Sequence, residues 1–348
     1  MIKYLGSKRA LMPVLETLFS ASQAKTAVDL FTGTTRVAAA MKQVGMEVTA
    51  IDTASYSEVF SRTFIELDVS RVNLQELSEA VRALNKLQGT SGYFTEVFCE
   101  KARYFQPKNG QRIDAIRSAI ESEYKGTWMY FPLLSSLLIA ADKVDSTTGV
   151  QMAYLKSWSR RSFLELDLQV PELLPGGGKA IQGDAIEQVS KLGSFDLAYL
   201  DPPYNQHRYF GNYHIWETLV RWDQPEYYGI ANKRIDTRSK DNKSAFNSKL
   251  TLPAALAKVI AGLDTKTLVL SYNNESWLSR RELTDMCSRF ESVEILDFDS
   301  KRYVGSQIGG YNQSGRLVGK PGAQRNLEHI VIAGQEQRVS TMVNALSQ

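Results

Sequence analysis

The 348 residues include only two cysteines, Cys99 and Cys287, far apart and in no ligand-like spacing. That excludes a disulfide framework or a cysteine-based zinc site and fits a reducing cytoplasm. The three histidines, His207, His214 and His329, are scattered, so no metal is expected. No GxGxxG turn occurs, which disfavours a dinucleotide ligand. No apolar run is long enough to cross a bilayer. The most apolar stretch, 128–141, is interrupted by Pro132 and is expected to be a buried helix. Neither a secretory signal nor a membrane contact is expected. Excess charge is also missing: 41 Lys and Arg face 38 Asp and Glu. A protein that coats nucleic acid generally is thereby excluded, and any such contact must come from local basic patches.

The chain is long enough for one large α/β domain or a domain with an insert. Residues 26–32 are a short apolar run of β-formers broken by Gly33. A helical stretch over 35–43 and a strand over 47–51, closed by Asp52, follow. This strand–turn–helix–strand order opens a parallel sheet. Between about 55 and 166 apolar residues recur at three and four, as in Leu74, Leu77, Val81 and Leu84, which predicts a mostly helical insert. Residues 171–178 (PELLPGGG) are expected to link back to the sheet. Strands are predicted at 195–200, 267–272, 293–298 and 329–333, with a helix near 253–263. The expected division is a catalytic domain of 1–54 plus 170–335, an inserted subdomain of 55–169, and a frayed polar tail of 336–348.

Asp201-Pro202-Pro203-Tyr204 directly follows the predicted strand 195–200. Ligands of open α/β sheets bind at the carboxyl ends of strands. A plain strand-to-turn transition would use the same residue types, but the chemistry is specific. An adenine amino nitrogen is a poor nucleophile because its lone pair is delocalised into the ring. Asp201 could accept one N–H bond and the Pro202 carbonyl the other, localising that pair. Tyr204 would stack on a base rotated out of its duplex. With a sulfonium methyl donor, positioning is then the main catalytic contribution.

The first strand–helix turn, residues 29–35 (DLFTGTT), carries one glycine. S-adenosylmethionine has no phosphate, so this sparse turn suits it better than a dinucleotide. Asp52 can accept from both ribose hydroxyls. Asp184, in IQGD, is placed to contact the exocyclic amine of the cofactor's adenine. Each aspartate alone could be a helix N-cap. Three carboxylates at successive strand ends (Asp52, Asp184, Asp201) are harder to assign to capping.

On these motifs the chain resembles the D12 class of N6-adenine DNA methyltransferases, the group with Dam-type enzymes. Lys3-Tyr4-Leu5-Gly6-Ser7-Lys8 resembles that family's first cofactor motif, which implies that Tyr4 and Lys8 line the S-adenosylmethionine pocket. Phe31-Thr32-Gly33 resembles its glycine turn, Asp52 its ribose-binding acid, Asp184 its adenine-contacting aspartate, and Asp201 to Tyr204 its catalytic motif. Thr34 and Thr35 depart from the commoner alanine–glycine pair. The motif order resembles the α arrangement, in which the insert is the target-recognition domain. The implied fold is a Rossmann-like S-adenosylmethionine-dependent methyltransferase sheet with an inserted helical target-recognition subdomain.

Duplex DNA is the implied partner, with a cognate restriction endonuclease as a candidate companion. After the motif, Asn205, Arg208, Tyr209, Tyr213 and His214 mix donors with aromatics, which suits a flipped base and its phosphates. Lys301 and Arg302 open a stretch, 300–326, with six glycines and no acid, suited to embracing a backbone. The charged run 233–240 is a candidate phosphate grip. Arg103, Gln106, Asn109, Arg112 and Arg117 of the insert could reach DNA. Two alternatives stay open: an RNA adenine-N6 methyltransferase, and a non-catalytic DNA-binding component of a defence complex.

Overall fold

The computed structural model describes residues 1–203, 206, 208–239, 242–274, 276–301 and 325–347, the side chains at 300, 301, 325 and 326 excepted. Nine strands are used below: β1 (Thr26–Asp29), β2 (Glu47–Asp52), β3 (Gly178–Gln182), β4 (Phe195–Leu200), β5 (Tyr227–Tyr228), β6 (Lys233–Arg234), β7 (Thr265–Asn273), β8 (Ser292–Lys301) and β9 (Arg325–Gly334). Seven form one sheet in the order β3-β2-β1-β4-β7-β9-β8, and β5 and β6 pair as a small hairpin. β3, β2, β1, β4 and β7 run parallel, and β9 is antiparallel to both its neighbours. This is the α/β sheet that the apolar runs predict.

Both faces of the sheet are covered, so its strands are apolar on both sides. Alternate residues serve opposite layers: Ala27, Leu197, Tyr199, Val269 and Ile330 join one core, and Val28, Ala198, Leu268, Leu270 and Val331 the other. From β1 the chain steps outward to β2 and β3, then returns to lay β4 on β1's other side. The crevice beyond the carboxyl ends of β1 and β4 is therefore the switch point where such sheets bind ligands.

Among the described residues the chain between β2 and β3 holds no strand: helices run from Ser55–Ser61 through Leu74–Asn85, Pro107–Ala119 and Tyr130–Val144, and a mostly irregular segment leads from there to β3. They do not build a separate core. Leu77, Phe94, Phe98, Ile113 and Leu137 merge with Leu15 and Ala27 on one sheet face. Residue 178 was expected to end a linker, yet it opens β3, a short edge strand. A Cβ at Gly178 would lie 2.6 Å from the Val48 carbonyl oxygen, so glycine permits the close approach. The expectation of a frayed tail fails for Glu336–Asn344, which is helical. Val339 and Met342, three apart, make an apolar stripe that is buried in the core.

Candidate active site

The ends of β1, β2, β3 and β4 open into one cavity with an empty volume of about 1130 Å³, part of it open to solvent. Leu30 and Phe31 follow β1, and Asp52 to Ala54 follow β2. Gly183 to Ala185 follow β3, and Asp201 and Pro203 follow β4. The N-terminal turn adds Tyr4, Leu5 and Gly6. Arg208, Tyr209, Phe210, Arg221 and the segment 242–247 close the opposite side. Tyr4, Phe31, Asp52, Asp184, Asp201, Pro203, Arg208 and Tyr209, predicted from sequence, thus line one cavity.

Asp52 is fixed by the turn beside it. Its Oδ2 accepts from the Gly33 N–H at 2.8 Å and its Oδ1 from the Ala54 N–H at 3.0 Å. Each oxygen retains a further lone pair for a ligand hydroxyl. Gly33 does not line the cavity itself; it orients Asp52. Its left-handed φ of 52° and the approach of Tyr4 Cε1, 3.0 Å from where a Cβ would stand, explain the glycine. Thr35 also takes a left-handed φ, 62°, at the place where the family's commoner glycine would be unstrained. Asp184 serves twice: Oδ1 caps the next helix through the Ile186 N–H at 2.8 Å, and the residue lines the cavity. Tyr4 lies in a stack of rings, 5.3 Å from Tyr209 and 4.9 Å from Tyr213.

Lys8 was expected to line the cofactor pocket. It lies behind Asp201 instead, because a buried ammonium requires a carboxylate. Its Nζ is 3.0 Å from Asp201 Oδ1 and 3.3 Å from Glu328 Oε2. Burial pushes the Asp201 carboxyl up to about 6; Lys8 opposes that rise and Glu328 adds to it. Asp29, below them, accepts from the Phe31 N–H at 3.2 Å. Burial, with Asp201 and Asp52 nearby, pushes its carboxyl up to about 8. The raised folded value means that this group's contribution to stability is present at low pH and lost as pH rises from about 4 towards 8. Asp29→Asn, which keeps the shape uncharged, is therefore expected to gain stability relative to wild type across that window. The gain is at most about 1.4 kcal/mol per pH unit, read from urea melts at pH 5 and 8. A constant difference would show that Asp29 is ionised throughout.

Several DNA-contact expectations are corrected. Tyr213 and His214 are both fully buried. The Tyr213 hydroxyl accepts from the Leu5 N–H at 2.6 Å, and His214 Nε2 lies 3.0 Å from the Gln151 carbonyl. They lie where the chain enters the helix His214–Arg221, whose residues through Leu219 are all buried, so they support the wall rather than reach a ligand. Asn109 and Arg117 are 1% exposed and bind backbone carbonyls of Ser162, Leu164, Leu219 and Val220. Arg234, in the charged run 233–240, is buried between Asp223 and Asp236. Arg208 is exposed at the cavity, and Tyr209 is half-buried there. Pro202 is buried. Tyr204, Asn205 and Arg302 lie outside the described residues, as does the Lys301 side chain.

Three contributors were missed. Phe246 packs edge-on to Phe31 at 4.9 Å, and only its place in a loop before a helix hinted at it. Arg221 lines the cavity, held 3.1 Å from buried Glu217 and over the Phe210 ring. Glu328 is an acid at the head of an apolar strand, which is a signal in itself. Among the described residues no group of three or more His, Cys, Asp or Glu could hold a metal ion. No helix there is long and apolar enough to cross a membrane.

The family model for D12 class N6 adenine-specific DNA methyltransferases matches residues 4–286. Modification methylase StsI of Streptococcus sanguinis is 31% identical over 320 residues, covering 87% of this chain and 48% of that protein. Type II methyltransferase M.NlaIII of Neisseria lactamica is 30% identical over 318 residues, 87% of this chain and 92% of that one. Type II methyltransferase M.FokI of Planomicrobium okeanokoites is 26% identical over 326 residues, 87% of this chain and 50% of that one. The chain thus spans about half the length of StsI and M.FokI and nearly all of M.NlaIII. It belongs to the D12 class of N6 adenine-specific DNA methyltransferases.

Proposed function

We propose that this chain methylates the N6 amino group of an adenine extruded from duplex DNA, with S-adenosylmethionine as donor, as the modification half of a restriction–modification pair. One observation carries the reading: Asp201 and Asp52 border the same cavity. A carboxylate for the amine and a carboxylate for a ribose can then act on two ligands at once.

The residues fit the cofactor. Asp52 retains lone pairs for both ribose hydroxyls, Phe31 and Phe246 offer ring surface for an adenine, and Asp184 can accept from its amine. Tyr4 and Tyr209, stacked on each other, border the same cavity. Bound S-adenosylmethionine supplies a methyl group carried on a positively charged sulfur. Asp201 accepts one N–H of the target amine, the Pro202 carbonyl the other, and Tyr204 stacks on the base, which localises the nitrogen lone pair. Arg208 and Tyr209, at the cavity's rim, are the described candidates for holding the extruded nucleotide. Residues 55–169 are assigned to target recognition.

Duplex DNA incubated with methyl-labelled donor and digested to nucleosides is expected to yield labelled N6-methyladenine. Structured RNA is expected to stay unlabelled. Label in N4-methylcytosine, or in RNA alone, overturns the assignment.

The pH dependence follows from Asp201. Its ionised form is the stronger acceptor and the one that offsets the positive charge growing on the nitrogen, and burial pushes its carboxyl up to about 6. As pH falls through 6 the carboxylate is lost, so turnover is expected to drop about tenfold per unit below that point. A profile flat to pH 5 would mean that the Asp201 carboxyl stays ionised there and that burial does not raise it to that value.

A further inference from the structure

Four side chains from four parts of the chain meet behind the cavity. Asp201 follows β4, Asn273 ends β7, Glu328 lies on β9 directly opposite Asn273, and Lys8 comes from the N-terminal turn. Lys8 Nζ lies 3.0 Å from Asp201 Oδ1 and 3.3 Å from Glu328 Oε2. Asn273 Nδ2 donates to Glu328 Oε1 at 2.9 Å. Lys8, Asn273 and Glu328 are each at most 8% exposed. One ammonium is thus shared by two carboxylates, and the second carboxylate is locked by an amide.

We infer that Glu328 is a positioning residue for the methyl-transfer reaction: by sharing Lys8 it keeps that ammonium on one oxygen of Asp201 and leaves the other to the amine. The inference rests on the reading of Asp201 as the amine acceptor. An ammonium committed wholly to Asp201 would compete with the substrate N–H. It would also oppose the positive charge that develops on the nitrogen as the methyl arrives. An Asp201 without any cation would hold its proton more tightly, since burial already favours the neutral form. Glu328 sets a middle course by dividing the cation. Asn273 fixes where Glu328 stands, so the division is geometric rather than a matter of chance side-chain rotation. The other ionisable groups facing Asp201 are Asp29 from β1 and Tyr199 from β4. Burial keeps Asp29 uncharged up to about pH 8 and holds the Tyr199 phenol neutral. Lys8 and Glu328 are then the charges that govern it.

The test is the pH profile of kcat on duplex DNA at saturating S-adenosylmethionine, for the full chain and three variants. Glu328→Gln keeps the bond to Asn273 and removes the competing charge. Its acid limb is expected to move down by about one pH unit and its plateau to fall about tenfold. Lys8→Met removes the cation, and its limb is expected to move up by about one unit. Glu328→Asp keeps the charge and is expected to keep the limb of wild type. Opposite displacements by two neighbours are not produced by a loosened fold, which would lower all plateaus without moving the limbs. Limbs that stay in place, or that move the same way in Glu328→Gln and Lys8→Met, overturn the inference. If Glu328→Gln does not fold, Glu328→Met, uncharged and of similar length, takes its place with the same expected displacement, and an unmoved limb overturns the inference. Asp201→Ala separates the layers: loss of turnover there with unmoved limbs here sinks only the role of Glu328, whereas retained turnover sinks the reading beneath it.

Discussion

Asp201→Ala is expected to lower adenine methylation by about a thousandfold or more, with S-adenosylmethionine binding changed by no more than about threefold. The asymmetry follows from the wall of the cavity. Asp201 stands at the end of β4, whereas the groups assigned to the cofactor follow β1, β2 and β3. Removing its carboxylate deletes the acceptor that pulls electron density towards the amine nitrogen. It leaves Lys8 with Glu328, so no buried charge is stranded and the fold should survive. Asp201→Asn is a sharper variant. The amide keeps one acceptor oxygen but brings a donor towards Lys8 and the amine, and its loss is expected to be nearly as large. Labelled methyl incorporation measures the first effect and calorimetric titration of the donor the second. Turnover within tenfold of wild type would remove Asp201 from the chemistry.

What could be read from the chain and what could not divide along physical lines. β2 and β4 were legible because parallel strands buried on both faces are apolar throughout, and the aspartates that end them mark where the sheet meets solvent. The run 195–200 coincides with β4, so Asp201 was placed correctly before any contact was known. β3 was legible only at its end, where Asp184 was read as following a strand; its five residues at a sheet edge, with a glycine and a lysine, carry little apolar signal. Tyr213 and His214 were misassigned because a mixture of donors and rings describes a ligand wall and the layer behind it equally well. His214 and Arg221, seven apart, share a helix face, and only their position along the helix puts Arg221 on the cavity and His214 in the core. The partner of Lys8 was out of reach for a different reason. Glu328 is 320 residues away, and a pairing across that distance is fixed by the sheet order, not by any local pattern. The resemblance of the N-terminal motif led to a cofactor role for Lys8; in the fold it lies against Asp201.

Asp52→Ala is expected to have the second large effect, in the cofactor dissociation constant rather than in kcat. In the assigned role its carboxylate accepts from two ribose hydroxyls. Charge-assisted bonds of that kind contribute about 1.5–3 kcal/mol each, so losing both weakens binding by at least roughly a hundredfold. The same side chain holds the Gly33 and Ala54 N–H groups, so the ligand-free protein should also lose about 1–3 kcal/mol of stability. Burial raises the Asp52 carboxyl above the ordinary aspartate range, against the backbone bonds that lower it. Affinity for the donor should therefore fall on acidification before that range is reached. Asp184→Ala is a useful contrast, since its cap on Ile186 is worth about 1 kcal/mol and it meets the adenine at a single amine. At donor concentrations high enough to saturate Asp52→Ala, turnover should return to within a few-fold of wild type, because the residue does not touch the amine. Failure to recover at saturation would mean that the β2 end acts on the reacting centre, and that the division of labour between Asp52 and Asp201 is wrong.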